Sequence, residues 1–203
     1  MYAIVTDGSI SKYINNPKSL VIGDVRYPAK IFSLWSSSEL NAIGIYEVTF
    51  DNTNKKDDKW YINTNQTITY DASAGTVTAT YGTATAKAHA DTLFTAQDEI
   101  DEKGTEGEVK TEGLKTILIR TLKQQAAEIL NDTDWYITRN TEKSTAIPSA
   151  ISTHRDAVRT KQAEMETAIT NASDTPALET LYTYTTTDGV QSRPLGELPT
   201  LES

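Results

Sequence analysis

The chain has 203 residues, 37% of them hydrophobic, and a formal net charge of −9. That apolar share is below the roughly 45–50% of ordinary globular chains, so the core is thin and partners that cover surface are favoured. The acidic balance, with Lys and Arg scattered, argues against a phosphate backbone as partner, and the lack of cysteine excludes disulfides, thiolate zinc sites and cysteine nucleophiles.

The length allows one large domain or two small ones. The start, Met1 to Asp7, has neither the basic region nor the long apolar run of a signal peptide. No window approaches the ~18 apolar residues of a membrane span. The expected setting is therefore a cytoplasm, or a particle assembled there.

Residues 2–5 are apolar or aromatic, Asp7-Gly8 follows, and Ile10, Tyr13 and Ile14 resume a strand-like pattern. Asp-Gly between two such runs predicts a hairpin over 2–14, because Gly accepts the positive φ of a tight hairpin turn. Asn15-Asn16-Pro17 ends it. Residues 20–35 mix strand character with Pro28 and a cluster of Phe32, Leu34 and Trp35. Ser36 followed by Glu39 predicts a short capped helix that Gly44 closes. A strand over 45–50 comes next, then a solvated turn over 51–59 rich in Asn, Asp and Lys. Three more strands are expected at 60–62, 67–70 and 76–81, the last pair turned by Ala72 to Gly75.

The stretch from Ala84 to Phe94 is Ala-rich and could begin a helix, and 98–108 reads as an acidic, flexible connector. Residues 112–172 then read as two amphipathic helices. Leu114, Ile117, Leu118, Leu122, Ile129 and Leu130 recur at spacings of three and four in the first; Ile147, Ile151, Val158, Met165 and Ile169 do so in the second. The two stripes can bury each other in an antiparallel hairpin, joined by a turn carrying Asp134, Trp135, Tyr136 and Arg139. After Ala172 come Asp174, Pro176, a Thr/Tyr strand-like run and a tail punctuated by Pro194 and Pro199.

No catalytic motif stands out. There is no Gly-x-Ser-x-Gly elbow and no Gly-rich phosphate loop. His154 lies on the apolar side of the second helix, where an interfacial role outweighs a catalytic one. His89 and Asp91 make a His-x-Asp pair, too few ligands for a metal site. Asp98, Glu99, Asp101, Glu102, Glu106 and Glu108 do not fall at calcium-loop positions. No cofactor and no metal are expected. The candidate interaction residues are Asp134, Trp135, Tyr136, Arg139, Arg155 and Arg159. The adjacent rings can pack across the hairpin end or anchor another chain. Arg155 and Arg159 sit one helical turn apart, so either can bridge to Asp132 or Asp134, and Arg139 suits an ion pair with the same acids.

The segment from Ile129-Leu130 through Thr133-Asp134-Trp135-Tyr136 to Arg139, followed by Glu142, Ile147-Pro148, Arg155 and Arg159, resembles a module of tailed-bacteriophage proteins: tail assembly chaperones and the ends of tail-fibre-related virion proteins. The opening Tyr2-Ala3-Ile4-Val5, Asp7-Gly8 and the run from Pro28 to Val48 are similar to such proteins more loosely. The resemblance implies a part in assembling or attaching tail parts. It implies other tail or fibre proteins as partners and repeated copies in an assembly; the acidic charge and the lack of a long apolar run leave no nucleic acid or membrane among the expected partners.

The expected fold is α+β. It has a small antiparallel β module over 1–82, an Ala-rich then acidic connector over 83–111, a helical hairpin over 112–172 with an Asp-Trp-Tyr loop, and an extended tail over 173–203. The expected function is a non-enzymatic tail protein of the virion, at the fibre, baseplate or attachment region. A transient assembly chaperone is the alternative. A carbohydrate-binding module using Trp35 and Trp60, or a small hydrolase using His89 or His154, are rivals of another class.

Overall fold

Asp7 and Gly8 both take positive φ, 51° and 75°, and the turn they make folds β1 (Tyr2–Thr6) back on β2 (Ser9–Ile14). In the computed structural model, which describes residues 1–201, the chain mixes helices and strands and divides into two compact units, the first Met1–Thr85, the second from Ala86 onward.

The first unit continues with a small hairpin, β3 (Leu20–Ile22) and β4 (Val25–Tyr27), then α1 (Ile31–Leu34) and α2 (Ser37–Ala42). Its remaining strands are β5 (Ile45–Asp51), β6 (Tyr61–Ile62), β7 (Gln66–Asp71) and β8 (Thr76–Tyr81), with β9 (Thr85–Ala86) at the junction. The capping box at α2 is complete: Ser36 Oγ accepts from the Glu39 amide, and the Glu39 carboxylate accepts from the Ser36 amide at 2.7 Å. Gly44, at φ 81°, ends that turn.

The main sheet runs β2-β1-β5-β8-β7. It is not wholly antiparallel, as the strand pattern led us to expect: β5 and β8 are parallel, with Val48 beside Val77. The reason lies in the connection. β7 forms the hairpin with β8 on its far side, so β8 returns alongside β5 in the same direction. Ala3, Val48, Val77 and Ala79 form the core of one face. On the other, Ile31, Leu40 and Ile45 bring together the two short helices, the β3–β4 hairpin and the sheet.

The second unit begins with a departure from expectation. Residues 87–93 are not helical. Their carbonyls are used instead: those of Ala88 and His89 accept from the Leu114 and Lys115 amides, and that of Lys87 accepts from Thr175 Oγ1 at 2.6 Å. Nor is the acidic stretch an unstructured connector. β10 (Thr92–Leu93) pairs with β11 (Val109–Thr111) around α3 (Ala96–Ile100). Thr95 and Asp98 close a second capping box, and Lys110 Nζ reaches Asp98 at 2.8 Å. Local hydrogen bonds hold this segment where apolar burial is sparse.

Two long helices follow, α4 (Leu114–Asn131) and α6 (Ser149–Asn171). They lie side by side and antiparallel: Lys115 donates to the Thr170 carbonyl at 2.7 Å, and Lys123 pairs with Glu166 at 2.8 Å. Leu118, Leu122 and Ala126 are buried from α4; Ile151, Val158, Met165 and Ile169 from α6. Between them lies α5 (Asp134–Lys143), where a loop was expected. After α6 the tail is not simply extended. Asp174 caps α7 (Thr175–Tyr182), accepting from the Ala177 amide at 2.8 Å, with Pro176 in its first turn and Leu178 fully buried. A small exposed hairpin, β12 (Thr185–Thr187) and β13 (Val190–Ser192), comes next.

The hydrogen bond from Lys110, with those from the Thr95 amide and hydroxyl, holds the Asp98 carboxyl well below the usual carboxylate range. A depressed folded pKa contributes stability that is complete above the unfolded value and is lost as pH falls through the folded one. The melting-temperature gap between the wild-type chain and Asp98→Asn should therefore be widest above about pH 5 and narrow steadily towards about pH 2. A gap that does not change with pH would show that the carboxylate charge is not what stabilises this segment.

Candidate functional site

The last turn of any helix leaves carbonyls without intrahelical partners. At the end of α4 one of these, Leu130, is met by a guanidinium from the neighbouring helix. Arg155 donates from Nη1 to the Leu130 carbonyl at 2.7 Å and to Thr133 Oγ1 at 2.6 Å; from Nη2 it pairs with Asp134 at 2.8 Å. Thr133 Oγ1 donates in turn to the Leu130 carbonyl. One side chain, only 8% exposed, thus joins the end of α4, the two-residue joint and the first residue of α5. A cation at a helix C-terminus and an anion at a helix N-terminus both suit the backbone dipoles.

The helix so anchored is unusual. None of its residues is buried. It is sustained locally: Asp134 sits in its first turn and Lys143 in its last, and Ser144, in the left-handed region at φ 54°, closes it with its amide on the Asn140 carbonyl. Asn140 Nδ2 donates to the Thr145 carbonyl at 2.9 Å. Apolar periodicity marks helices by the face they bury, so a helix with no fully buried residue leaves little stripe to read.

On α5, Trp135 and Tyr136 stack with ring centroids 3.8 Å apart, and Trp135 is 51% exposed. Arg139 lies over both rings, its guanidinium carbon 4.7 Å from the Trp135 centroid and 5.3 Å from that of Tyr136. Its Nε is shut off from solvent with no hydrogen-bond acceptor among the described residues. Arg139 is therefore a cap on the ring stack and not the ion-pair partner of a loop acid. Arg159 also departs from expectation: it pairs with its helix neighbour Asp156 at 3.2 Å, both side chains exposed, and takes no part in the joint. Of the residues singled out from sequence, Asp134 and Arg155 build the joint, and Trp135, Tyr136 and Arg139 build the exposed cluster. Thr133 entered only as part of the Thr-Asp-Trp motif and not as an interaction residue. Its small hydroxyl donates locally to the Leu130 carbonyl and also accepts from an arginine 22 residues away, a partner that the local sequence does not show.

The residues considered for chemistry are placed elsewhere. The Asp91 carboxylate accepts from the Gly113 amide at 2.6 Å and from Thr116 Oγ1 at 2.8 Å; these bonds lower its pKa and commit it to the start of α4. His154 is buried on α6, 8% exposed. Among the described residues no three His, Asp or Glu side chains gather to hold a metal ion. Trp60 is 3% exposed, so it cannot form a stacking platform with Trp35. No helix of the described residues is long and apolar enough to cross a membrane.

Comparison of the chain with protein-family models, with curated proteins and with solved structures returns no match.

Arg155 and Arg159 make a controlled pair for measurement. Arg155→Ala removes the guanidinium's hydrogen bonds to the Leu130 carbonyl and Thr133 Oγ1, which keep each other and the Thr133 amide as local partners, and should cost about 1.5–3 kcal/mol, with Asp134 adding little because it is exposed. Arg159→Ala removes an exposed pair and should stay within about 0.5 kcal/mol of wild type. Denaturant unfolding of the full chain checks both; equal effects would mean that the joint is not the stabilising feature.

Proposed function

We propose that this chain is a non-enzymatic bacteriophage tail protein, built into the virion in the fibre, baseplate or tail-attachment region. In this reading the N-terminal β module is followed by a helical hairpin of α4 and α6, and the hairpin's joint carries the element by which neighbours hold the protein. The observation that carries the reading is α5, a ten-residue helix with no buried side chain that presents a stacked Trp135–Tyr136 pair under Arg139. Trp, Tyr and Arg are the residues that dominate interface energetics, and an exposed rigid cluster of them is costly in solubility unless something covers it. The likeness of the Thr133 to Arg139 segment, with Arg155 and Arg159, to phage tail modules supplies the kind of neighbour. The net charge of −9 disfavours the packaged genome as that neighbour.

A chaperone that leaves before the tail is complete would use the same surface, and copy number separates the two roles. Quantitative mass spectrometry of purified particles should find the chain in fixed proportion to the known tail proteins; absence from particles, with presence in the infected-cell lysate, would favour the chaperone. Trp135→Ala or Arg139→Ala should reduce incorporation by roughly 30-fold or more in binding terms, the loss of about 2 kcal/mol typical of a hot spot, while leaving the melting temperature unchanged. Normal incorporation of both variants would remove α5 from the reading.

A further inference from the structure

The first unit carries a cleft of about 510 Å³ beside β2, between the end of that strand and the segment that leads into β3. Its apolar floor comes from Ile4, Ile14 and Leu20; Ile14 is buried and the other two are half-buried. The pairing of Ile4 with Lys12, and of Tyr2 with Ile14, sets Lys12 and Ile14 on one face of the β1–β2 hairpin. Lys12 and Lys18 line the cleft from two sides of Ile14 in sequence, and the neutral amides of Asn15 and Asn16 line it between them. Neither lysine has an ion-pair or hydrogen-bond partner among the described residues. None of the lining residues is acidic, although Asp and Glu number 28 in the chain.

We propose that this cleft binds a small amphiphilic carboxylate: a molecule with one carboxylate and a compact aliphatic body. The floor removes the body from water, and the two ammonium groups with the amide donors receive the carboxylate. The volume falls in the range of small-ligand sites, about 300–1,000 Å³. Two features fix the charge. The lining offers positive charge and no negative charge, which selects an anion over a neutral analogue. The chain as a whole is strongly acidic, which penalises a polyanion far more than a single carboxylate. The site does not depend on the tail reading.

The test uses the full chain, labelled with nitrogen-15, and follows amide shifts on titration with hexanoate, hexanamide and acetate. Hexanoate should give saturable shifts confined to Ile4 and residues 12–21. Hexanamide lacks the charge and acetate the body, so each should bind at least about tenfold more weakly, the equivalent of about 1.4 kcal/mol. Lys12→Gln with Lys18→Gln should weaken hexanoate by the same factor and leave the rest of the spectrum in place. Lys18→Gln alone, in the loop, gives a second reading if the double variant does not fold. Hexanoate shifts elsewhere, equal binding of hexanamide, wild-type binding by the variants, or no response up to about 50 mM would each overturn the assignment.

Discussion

One guanidinium ties the joint between α4 and α5 to α6. Arg155 adds a donor to the Leu130 carbonyl at the end of α4, meets Thr133 and holds the first residue of α5. Without it the Leu130 carbonyl keeps the local donors of Thr133, and the hydrogen bonds from α6 to the joint are lost. With it, a ten-residue helix stands on a defined base although none of its residues is fully buried. Arginine suits this position: its donors leave in a fixed plane, so three acceptors from two helices and their joint can be met together. A lysine could not hold that arrangement.

This division of labour explains how stability and display coexist. The apolar contacts lie between α4 and α6, where Leu118, Leu122 and Ala126 meet a buried stripe that runs from Ile151 to Ile169. α5 contributes no buried side chain, so its surface is free to vary. The ring stack under Arg139 is preorganised: the rings pack on one another and the guanidinium on both. A partner that binds it pays little to order it.

Much of this was legible in the residues, for identifiable reasons. Asp7-Gly8 and the Ser36–Glu39 cap are short-range signals, and both elements formed where the residues placed them. The stripes of the two long helices were readable because a large apolar face is buried, although Ile147 falls before α6 and Ile117 is exposed. Other elements were hidden because they rest on distant partners or on caps rather than burial. Residues 87–91 look like a helix start until the α4 amides claim their carbonyls. The Thr95–Asp98 box and the Asp174 cap were present in the sequence, but the acidic run suggested a flexible connector and the Thr/Tyr run after Asp174 an extended tail. Parallel pairing of β5 with β8 needs the whole sheet order to be known. At the candidate site the residue types were legible and their partners were not: nothing local says that Arg155 is buried while Arg159, one turn on, meets only Asp156.

The central proposal is that α5, a displayed element, is covered by a neighbouring protein in a tail assembly. Hydrogen–deuterium exchange tests it directly, comparing the purified chain with the chain inside assembled particles. A helix without buried side chains should exchange early in the free protein, well ahead of α4 and α6. In the assembled state the amides of 134–143 should become strongly protected while those of α4 and α6 change little. Unaltered, rapid exchange of α5 in the assembled state would contradict the account.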